Sequence, residues 1–199
     1  MTSGFWRIEF RDFFLTDFFT SMGFMFLTVY LLGCTFSISN WYSGTDPGIC
    51  TLARWPTAIF QALPLWWRFC QCIRRFFDSN YVHTHAVNAG KYLSALVVVL
   101  FSTGTRVTGE KLFLILWACF GVFATVYALS WDIFHDFGFK FKSENGYFLR
   151  NELAYEWKKF YRFALIWNVV LRFGWILLLS GVIESRILSF VLAIVEVFR

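Results

Sequence analysis

Apolar residues occur in long blocks along this chain, and short polar segments separate one block from the next. The clearest block, residues 112–131, has 20 residues without a charge, which is enough to cross a bilayer as an α-helix. Further apolar blocks lie at residues 13–39, 52–77, 86–102, 160–181 and from 187 onward. The pattern predicts an all-α fold, a polytopic transmembrane helical bundle with about six spans.

Two of the blocks are less regular than the others. Residues 52–77 are interrupted by prolines and arginines, namely Arg54, Pro56, Pro64 and Arg68. We interpret this block as a spanning helix kinked at Pro64, and the alternative is a helix lying in the membrane interface. The final run has about 13 apolar residues, or roughly 20 Å of helix, so we expect a shortened last helix.

Composition supports a membrane protein over a soluble one. The chain is 58% hydrophobic and 16% charged, against roughly 25% charged residues in soluble domains. Its net charge of +5 does not predict nucleic-acid binding, because the basic residues form short clusters between apolar blocks. With a cytoplasmic N-terminus, the inside segments hold 12 Lys and Arg and the outside segments hold 4, which are Arg54, Arg106, Lys111 and Arg186. This excess predicts that both termini are cytoplasmic.

Motifs for enzymatic chemistry are missing from the sequence. The cysteines at 34, 50, 70, 72 and 119 have no metal-ligand or redox spacing, so we interpret them as packing residues. His83 and His85 lie near Asp78, but no further ligands follow at metal spacing. Neither GxSxG nor HExxH occurs. We therefore expect a protein that is not an enzyme and that uses neither a metal nor a cofactor.

Ionisable residues inside the apolar blocks are the strongest chemical signal. Arg172 lies near the middle of residues 160–181, where an arginine costs about 2.5–3.5 kcal/mol to insert and usually faces a bundle interior. Other ionisable residues in or beside the blocks are Asp17, Lys91, Asp132, Asp136, Glu196 and Arg199. Taken singly, each has a structural explanation, such as snorkelling or a helix end. Together, arginine and lysine with balancing carboxylates favour the weak binding of a small hydrated anion such as phosphate. Trp175 follows Arg172 by one turn, as either a gate or a packing residue.

Several ordered motifs identify a family. They are DPGIC at 46–50, RFCQCIRR at 68–75, HAVNAGKY at 85–92, Trp131-Asp132 with Asp136, FLRNEL at 148–153, LRFGW at 171–175 and EVFR at 196–199. With these motifs the chain resembles, over essentially its whole length, the EXS domain of the eukaryotic phosphate exporters. We therefore expect residues 1–199 to form one EXS transmembrane domain, with no SPX domain.

The resemblance implies a path for inorganic phosphate out of the cytosol. The path residues that it implies are Asp17, Lys91, Tyr92, Asp132, Asp136, Arg172, Glu196 and Arg199, with Trp175 as a gate on the cytosolic side. The chain departs from the family at three places. Trp167-Asn168 replaces an acidic pair, Thr20 stands in place of an amide, and the chain ends at Arg199 where the family has a second arginine.

The function that we expect is phosphate efflux by a multi-pass transporter of the plasma membrane or of the Golgi and other endomembranes. The partners implied are inorganic phosphate and the lipid bilayer, and the sequence leaves a homodimer open. Regulation by inositol pyrophosphate is not expected without an SPX domain. One alternative is an SPX-less secretory-pathway EXS protein with a role in protein retention in the ER and Golgi or in phosphate recycling. The other is an inactive truncated product.

Overall fold

The computed structural model describes residues 8–38, 54–137, 157–177, 191–192 and 194–195, and every regular element in these ranges is a helix. In chain order they are α1 (Phe10–Ser21), α2 (Gly23–Ile38), α3 (Arg54–Asp78), α4 (His83–Thr108), α5 (Lys111–Trp131), a π-helical turn (Asp132–Asp136) and α6 (Lys158–Arg172). The all-α prediction is confirmed for this part of the chain. The chain divides into two compact units, Met1–Val122 and Phe123–Arg199.

Two of the described helices are long and apolar enough to cross a membrane. They are His83–Thr108 and Lys111–Asp136, the second of which is α5 together with the π turn. The prediction of a span at 112–131 is therefore confirmed, whereas the one at 86–102 was too short. α1 and α2 would make a third span if they are taken together as one bent helix pair. Six spans and cytoplasmic termini stay predictions.

α4 extends beyond its apolar block because its polar residues are satisfied within the helix. The hydroxyls of Thr103, Thr105 and Thr108 each donate to the carbonyl four residues earlier, over 2.8, 3.0 and 2.9 Å. These bonds lower the cost of placing a hydroxyl in an apolar helix. The helix ends where Gly109 adopts a left-handed conformation with φ 69°, and its N–H donates to the Thr105 carbonyl.

The span predicted over residues 13–39 is divided into two helices over its described part. α1 ends at Ser21 and α2 begins at Gly23, and the two helices are inclined by 72°. At the break the N–H of Met22 donates to the carbonyl of Phe19, three residues earlier, over 3.1 Å, and the hydroxyl of Thr20 donates to the main-chain carbonyl of Asp17 over 2.6 Å. The tighter backbone bonding at Met22 is typical of a helix end.

α3 is central to the first unit. It packs most extensively against α4 and also contacts α1 and α2. Cys72, Ala89 and Tyr92 form the buried apolar core of this contact, with Leu65, Phe69 and Ile73 packed around them. Pro64 lies inside α3, and its side chain is fully buried. Residues 54–78 are thus one long helix, and the crossing of the membrane by this helix stays a prediction.

The cysteines differ from one another in their chemical state. Cys70, Cys72 and Cys119 carry free thiols, as packing residues would. Cys34 is disulfide-bonded, so the interpretation of all five cysteines as packing residues is wrong for Cys34. A covalent bond at this position needs an oxidising environment, which packing alone does not.

The apolar block at residues 160–181 is not one continuous α-helix over its described part, residues 160–177. α6 ends at Arg172, and beyond it the N–H of Gly174 donates to the carbonyl three residues earlier over 3.1 Å. This tighter bonding turns the backbone through Trp175. Close packing explains why glycine stands here, because a Cβ at position 174 would lie 2.7 Å from Cδ2 of Leu192. Residues 178–190 lie outside the described residues, and the final apolar run from residue 187 is described only at residues 191–192 and 194–195.

Candidate functional site

A buried arginine is the centre of a polar cluster in the first unit. We call this the Arg68 cluster, and it consists of Thr16, Asp17, Arg68, Gln71 and Tyr92. Arg68 is only 3% exposed, and each of its three guanidinium nitrogens has a partner. Nε donates to the Tyr92 hydroxyl over 3.1 Å, and Nη1 donates to Oε1 of Gln71 over 3.2 Å. Nη2 pairs with Oδ1 of Asp17 at 3.1 Å.

Gln71 and Tyr92 complete the hydrogen bonding around this arginine. Gln71 is buried, and its Nε2 donates to the hydroxyl of Thr16 over 2.7 Å and to the main-chain carbonyl of Asp12 over 3.0 Å. The Tyr92 hydroxyl donates to Oδ1 of Asp17 over 3.3 Å. The cluster therefore joins α1, α3 and α4 through bonds that satisfy its buried polar atoms.

Arg68 and two cations beside the Arg68 cluster lie over aromatic rings. The guanidinium carbons of Arg68 and Arg75 lie 4.3 and 4.5 Å from the centroid of the Phe13 ring. The Nζ atom of Lys91 lies 5.1 Å from the centroid of the Tyr92 ring. These distances are typical of cation–π contacts, which stabilise positive charge away from water. The surroundings therefore carry an excess of positive charge, which favours an anion.

A second group of polar residues lies in the second unit. We call this the Asp132 cluster, and it consists of Asp132, Asn168 and Arg172. Oδ2 of Asp132 accepts a hydrogen bond from Nε of Arg172 over 2.9 Å and another from its Nη2. The same oxygen accepts from Nδ2 of Asn168 over 3.0 Å. Asp132 and Asn168 are 7% and 6% exposed, so this is a buried ion pair with a third, neutral member.

The π turn decides which acidic residue joins this cluster. The N–H of Phe137 donates to the carbonyl of Asp132, five residues earlier, over 2.8 Å. Asp132 is buried in this turn, whereas Asp136 is exposed. His135 is also exposed, and its ring stacks on that of Trp131 with centroids 3.9 Å apart. A continuing α-helix would place these two aspartates, four residues apart, on one face, but a π turn stands here instead. Such turns are frequent at functional sites.

Among the residues that the structure describes, Trp175 makes one side-chain hydrogen bond, to α5. Its indole Nε1 donates to the hydroxyl of Thr125 over 2.9 Å, and the Trp175 side chain is half-buried. Gly174 immediately before it allows the close turn that follows α6. A large aromatic side chain held by one hydrogen bond can move when that bond breaks, which is a property that a gate needs. The gate itself stays a prediction.

Four of the residues predicted from the sequence, namely Asp17, Tyr92, Asp132 and Arg172, belong to these two clusters. In the first unit, Asp17 and Tyr92 are hydrogen-bonded and Lys91 lies beside them. In the second unit, Asp132 and Arg172 are paired. Glu196 and Arg199 lie outside the described residues.

Some of the residues that hold the clusters together were not predicted as site residues. In the sequence Arg68 stands out only as an interruption of an apolar block and as part of a family motif. Arg68 and Gln71 lie three apart on one face of a helix, however, a spacing that could have linked them. Asn168 was noted only as a departure from the family. Its position four residues before Arg172 placed both on one face of α6. Thr16 and Thr125 gave no signal, because single threonines are common in apolar helices.

Both clusters contain the kinds of groups that could bind an anion. Guanidinium groups offer paired donors for oxyanion oxygens, and carboxylates occupy those donors when the anion is absent. Within the residues that the structure describes, no group of three or more His, Cys, Asp or Glu could hold a metal ion. The arrangement of guanidinium and carboxylate groups fits a site in which an arginine could exchange its carboxylate partner for a bound anion.

Comparison with known proteins identifies the family. A sequence model described as the EXS family matches residues 1–199. The chain belongs to the EXS family. The chain is 32% identical over 220 residues to the xenotropic and polytropic retrovirus receptor 1 homolog of Xenopus laevis, and 31% identical over 221 residues to solute carrier family 53 member 1 of Homo sapiens. The homolog in Danio rerio is 32% identical over 219 residues.

These relatives also set the extent of the likeness. Each alignment covers 100% of this chain and 32% of the relative, so the chain spans about a third of the length of the curated relatives it matches. The human relative is named as a solute carrier. Together with the apolar helices, family membership makes this EXS protein an integral membrane protein.

Proposed function

We propose that this EXS protein exports inorganic phosphate from the cytosol through a charged path between its membrane helices. The observation that carries the proposal is the ion pair between Arg172, whose side chain is 14% exposed, and the buried Asp132, both within or next to apolar blocks of the sequence. An ion pair in such surroundings is costly to keep, and charges of this kind mark ion and substrate paths in membrane proteins. Membership of a family with solute carriers supports the same conclusion.

Phosphate suits the donors of these clusters. A guanidinium group presents a planar fork that matches two phosphate oxygens, and an ammonium group such as that of Lys91 adds a point charge. The carboxylate of Asp132 competes with phosphate for Arg172, and this competition keeps binding weak enough for release. Both features are needed by a path that must take up its anion and also let it go.

The proposed path uses the residues of the sequence analysis. They are Asp17, Lys91, Tyr92, Asp132, Asp136, Arg172, Glu196 and Arg199, and Trp175 is the proposed gate. The proposal includes six spans with both termini in the cytosol. It applies to the plasma membrane and to an endomembrane such as the Golgi, because either one separates cytosolic phosphate from another compartment.

Phosphate efflux from proteoliposomes tests this function. The purified chain is reconstituted into vesicles loaded with phosphate, next to protein-free vesicles, Arg172→Ala and Lys159→Ala. Lys159 is the matched control, because it is an exposed cation on the same helix. We expect efflux by the unmodified chain and by Lys159→Ala, and its loss in Arg172→Ala. If the unmodified chain gives no more efflux than protein-free vesicles, the proposal is wrong. If Arg172→Ala leaves efflux unchanged, the path does not run past Arg172.

A further inference from the structure

We infer that Asn168 is a positioning residue that keeps Asp132 hydrogen-bonded while Arg172 leaves it to bind phosphate. This inference rests on the proposed function and adds a step to it, in which one ion pair is exchanged for another. Asn168 would not touch phosphate itself. It acts on phosphate affinity through Asp132.

The hydrogen bonds to the carboxylate of Asp132 support this role. Three donor atoms converge on one oxygen, Oδ2 of Asp132: two from Arg172 and one from the amide of Asn168. The two arginine donors belong to one side chain and leave together. The amide donor, at 3.0 Å, belongs to another residue and does not depend on the position of Arg172.

Without Asn168, the movement of Arg172 from Asp132 to phosphate would cost more free energy. Asp132 is 7% exposed, so water cannot readily replace a lost partner. A buried carboxylate left without donors is strongly unfavourable, and that cost would be subtracted from the affinity of Arg172 for phosphate. Because Asn168 keeps one hydrogen bond to Asp132, the exchange leaves this carboxylate partly satisfied. The amide therefore makes Arg172 available.

The difference between the Asn168 and Arg172 side chains also supports this role. Asn168 and Arg172 lie four residues apart on one face of α6, and both reach the same carboxylate. The short asparagine has little freedom to leave, whereas the long arginine side chain has several rotatable bonds. An uncharged amide also exerts no net attraction on Arg172, whereas a second carboxylate at this position would hold the arginine in place.

A stability experiment tests the exchange without any transport. Asn168→Leu, Arg172→Ala and the double variant are compared with the unmodified chain by thermal unfolding in detergent. Each single variant leaves Asp132 with one partner, whereas the double variant leaves it with none of these donors. We therefore expect the double variant to lose more in Tm than the sum of the two single losses. The excess should vanish when Asp132→Asn is added to every member of the set. Additive losses, or an excess that persists with Asp132→Asn, would overturn the inference.

A transport experiment tests the use of this exchange. In proteoliposomes, Asn168→Leu should raise the KM for phosphate by about tenfold, as expected when a charged hydrogen bond must be broken without compensation, and should leave kcat largely unchanged. A merely structural role would reduce the amount of folded protein, and hence kcat, without moving KM. An unchanged KM would overturn the inference. If the unmodified chain shows no efflux, the proposed function fails and the phosphate step fails with it, while the stability experiment separately decides whether Asn168 holds Asp132.

Discussion

Arg68 and Asp17 form an ion pair whose two members differ sharply in exposure. Nη2 of Arg68 lies 3.1 Å from Oδ1 of Asp17, yet the arginine side chain is 3% exposed and the carboxylate 54%. Loss of the arginine would leave a carboxylate that solvent can reach. Loss of the carboxylate would leave a buried cation with neutral partners only. The two residues are therefore not equivalent as targets for mutation.

The first prediction uses this asymmetry. Asp17→Leu should lower the free energy of unfolding by about 2 kcal/mol, which is less than the roughly 3–5 kcal/mol for a fully buried pair because Asp17 is half exposed. The double variant Asp17→Leu with Arg68→Met should be more stable than Asp17→Leu alone, because it no longer contains a buried unpaired cation. Thermal unfolding in detergent measures both differences.

The pair of Arg74 and Asp78 provides the control for this prediction. It lies on the same helix, at 3.0 Å and four residues apart, but both side chains are 37% exposed. Asp78→Leu should therefore cost no more than about 0.5 kcal/mol. Equal losses for Asp17→Leu and Asp78→Leu would contradict the importance given to the burial of Arg68.

The second prediction concerns the packing of α4 against α5. A Cβ at Gly104 would lie 2.6 Å from Cδ1 of Phe113, so the aromatic ring would have to move. Gly104→Ala should cost about 1–3 kcal/mol of unfolding free energy through this overlap. Gly33→Ala is the matched control, since nothing lies within 4 Å of the added Cβ and alanine is a better helix former. We expect the control to be neutral or stabilising, and a loss in both variants would point to glycine flexibility instead of packing.

The third prediction tests the proposed gate. Trp175→Ala should increase the rate at which phosphate leaks from proteoliposomes, because it removes the ring. Thr125→Val has nearly the same shape as threonine but leaves the indole N–H without its 2.9 Å acceptor. It should therefore also increase the leak, whereas Thr125→Ser retains the hydroxyl and should behave as the unmodified chain. Slower or unchanged efflux in both Trp175→Ala and Thr125→Val would count against gating.

The fourth prediction separates charge from geometry at Arg172. Arg172→Lys keeps the positive charge but replaces the two donors that now bind Asp132 by a single ammonium group. Phosphate efflux should fall about tenfold or more if two oxygens of the anion must be bound at once. The reciprocal change at the exposed control position, Lys159→Arg, should have no effect. Full activity of Arg172→Lys would show that charge alone is sufficient.

Much of the helical structure could be predicted from the order of apolar and polar residues. Residues 112–131 form a helix as predicted, and the described part of the block at 52–77 is one helix despite Pro64. Apolar blocks of this length adopt helices because a membrane offers no water to satisfy the backbone. The breaks after Ser21 and after Arg172 were not predicted, because hydropathy continues unchanged through both. They coincide with local hydrogen bonds and with close packing at Gly174.

The order of residues is enough to predict a helical membrane protein of the EXS family and to mark Arg172 as a charge that needs a partner. The packing of the helices is needed to see that Asp132 and Asn168 are its partners, while Asp136 stays exposed. The packing also buries Arg68 against Asp17, 51 positions away in the chain. The physical reason is that helical periodicity defines one face of one helix, whereas a buried charge is satisfied by whichever face another helix packs against it.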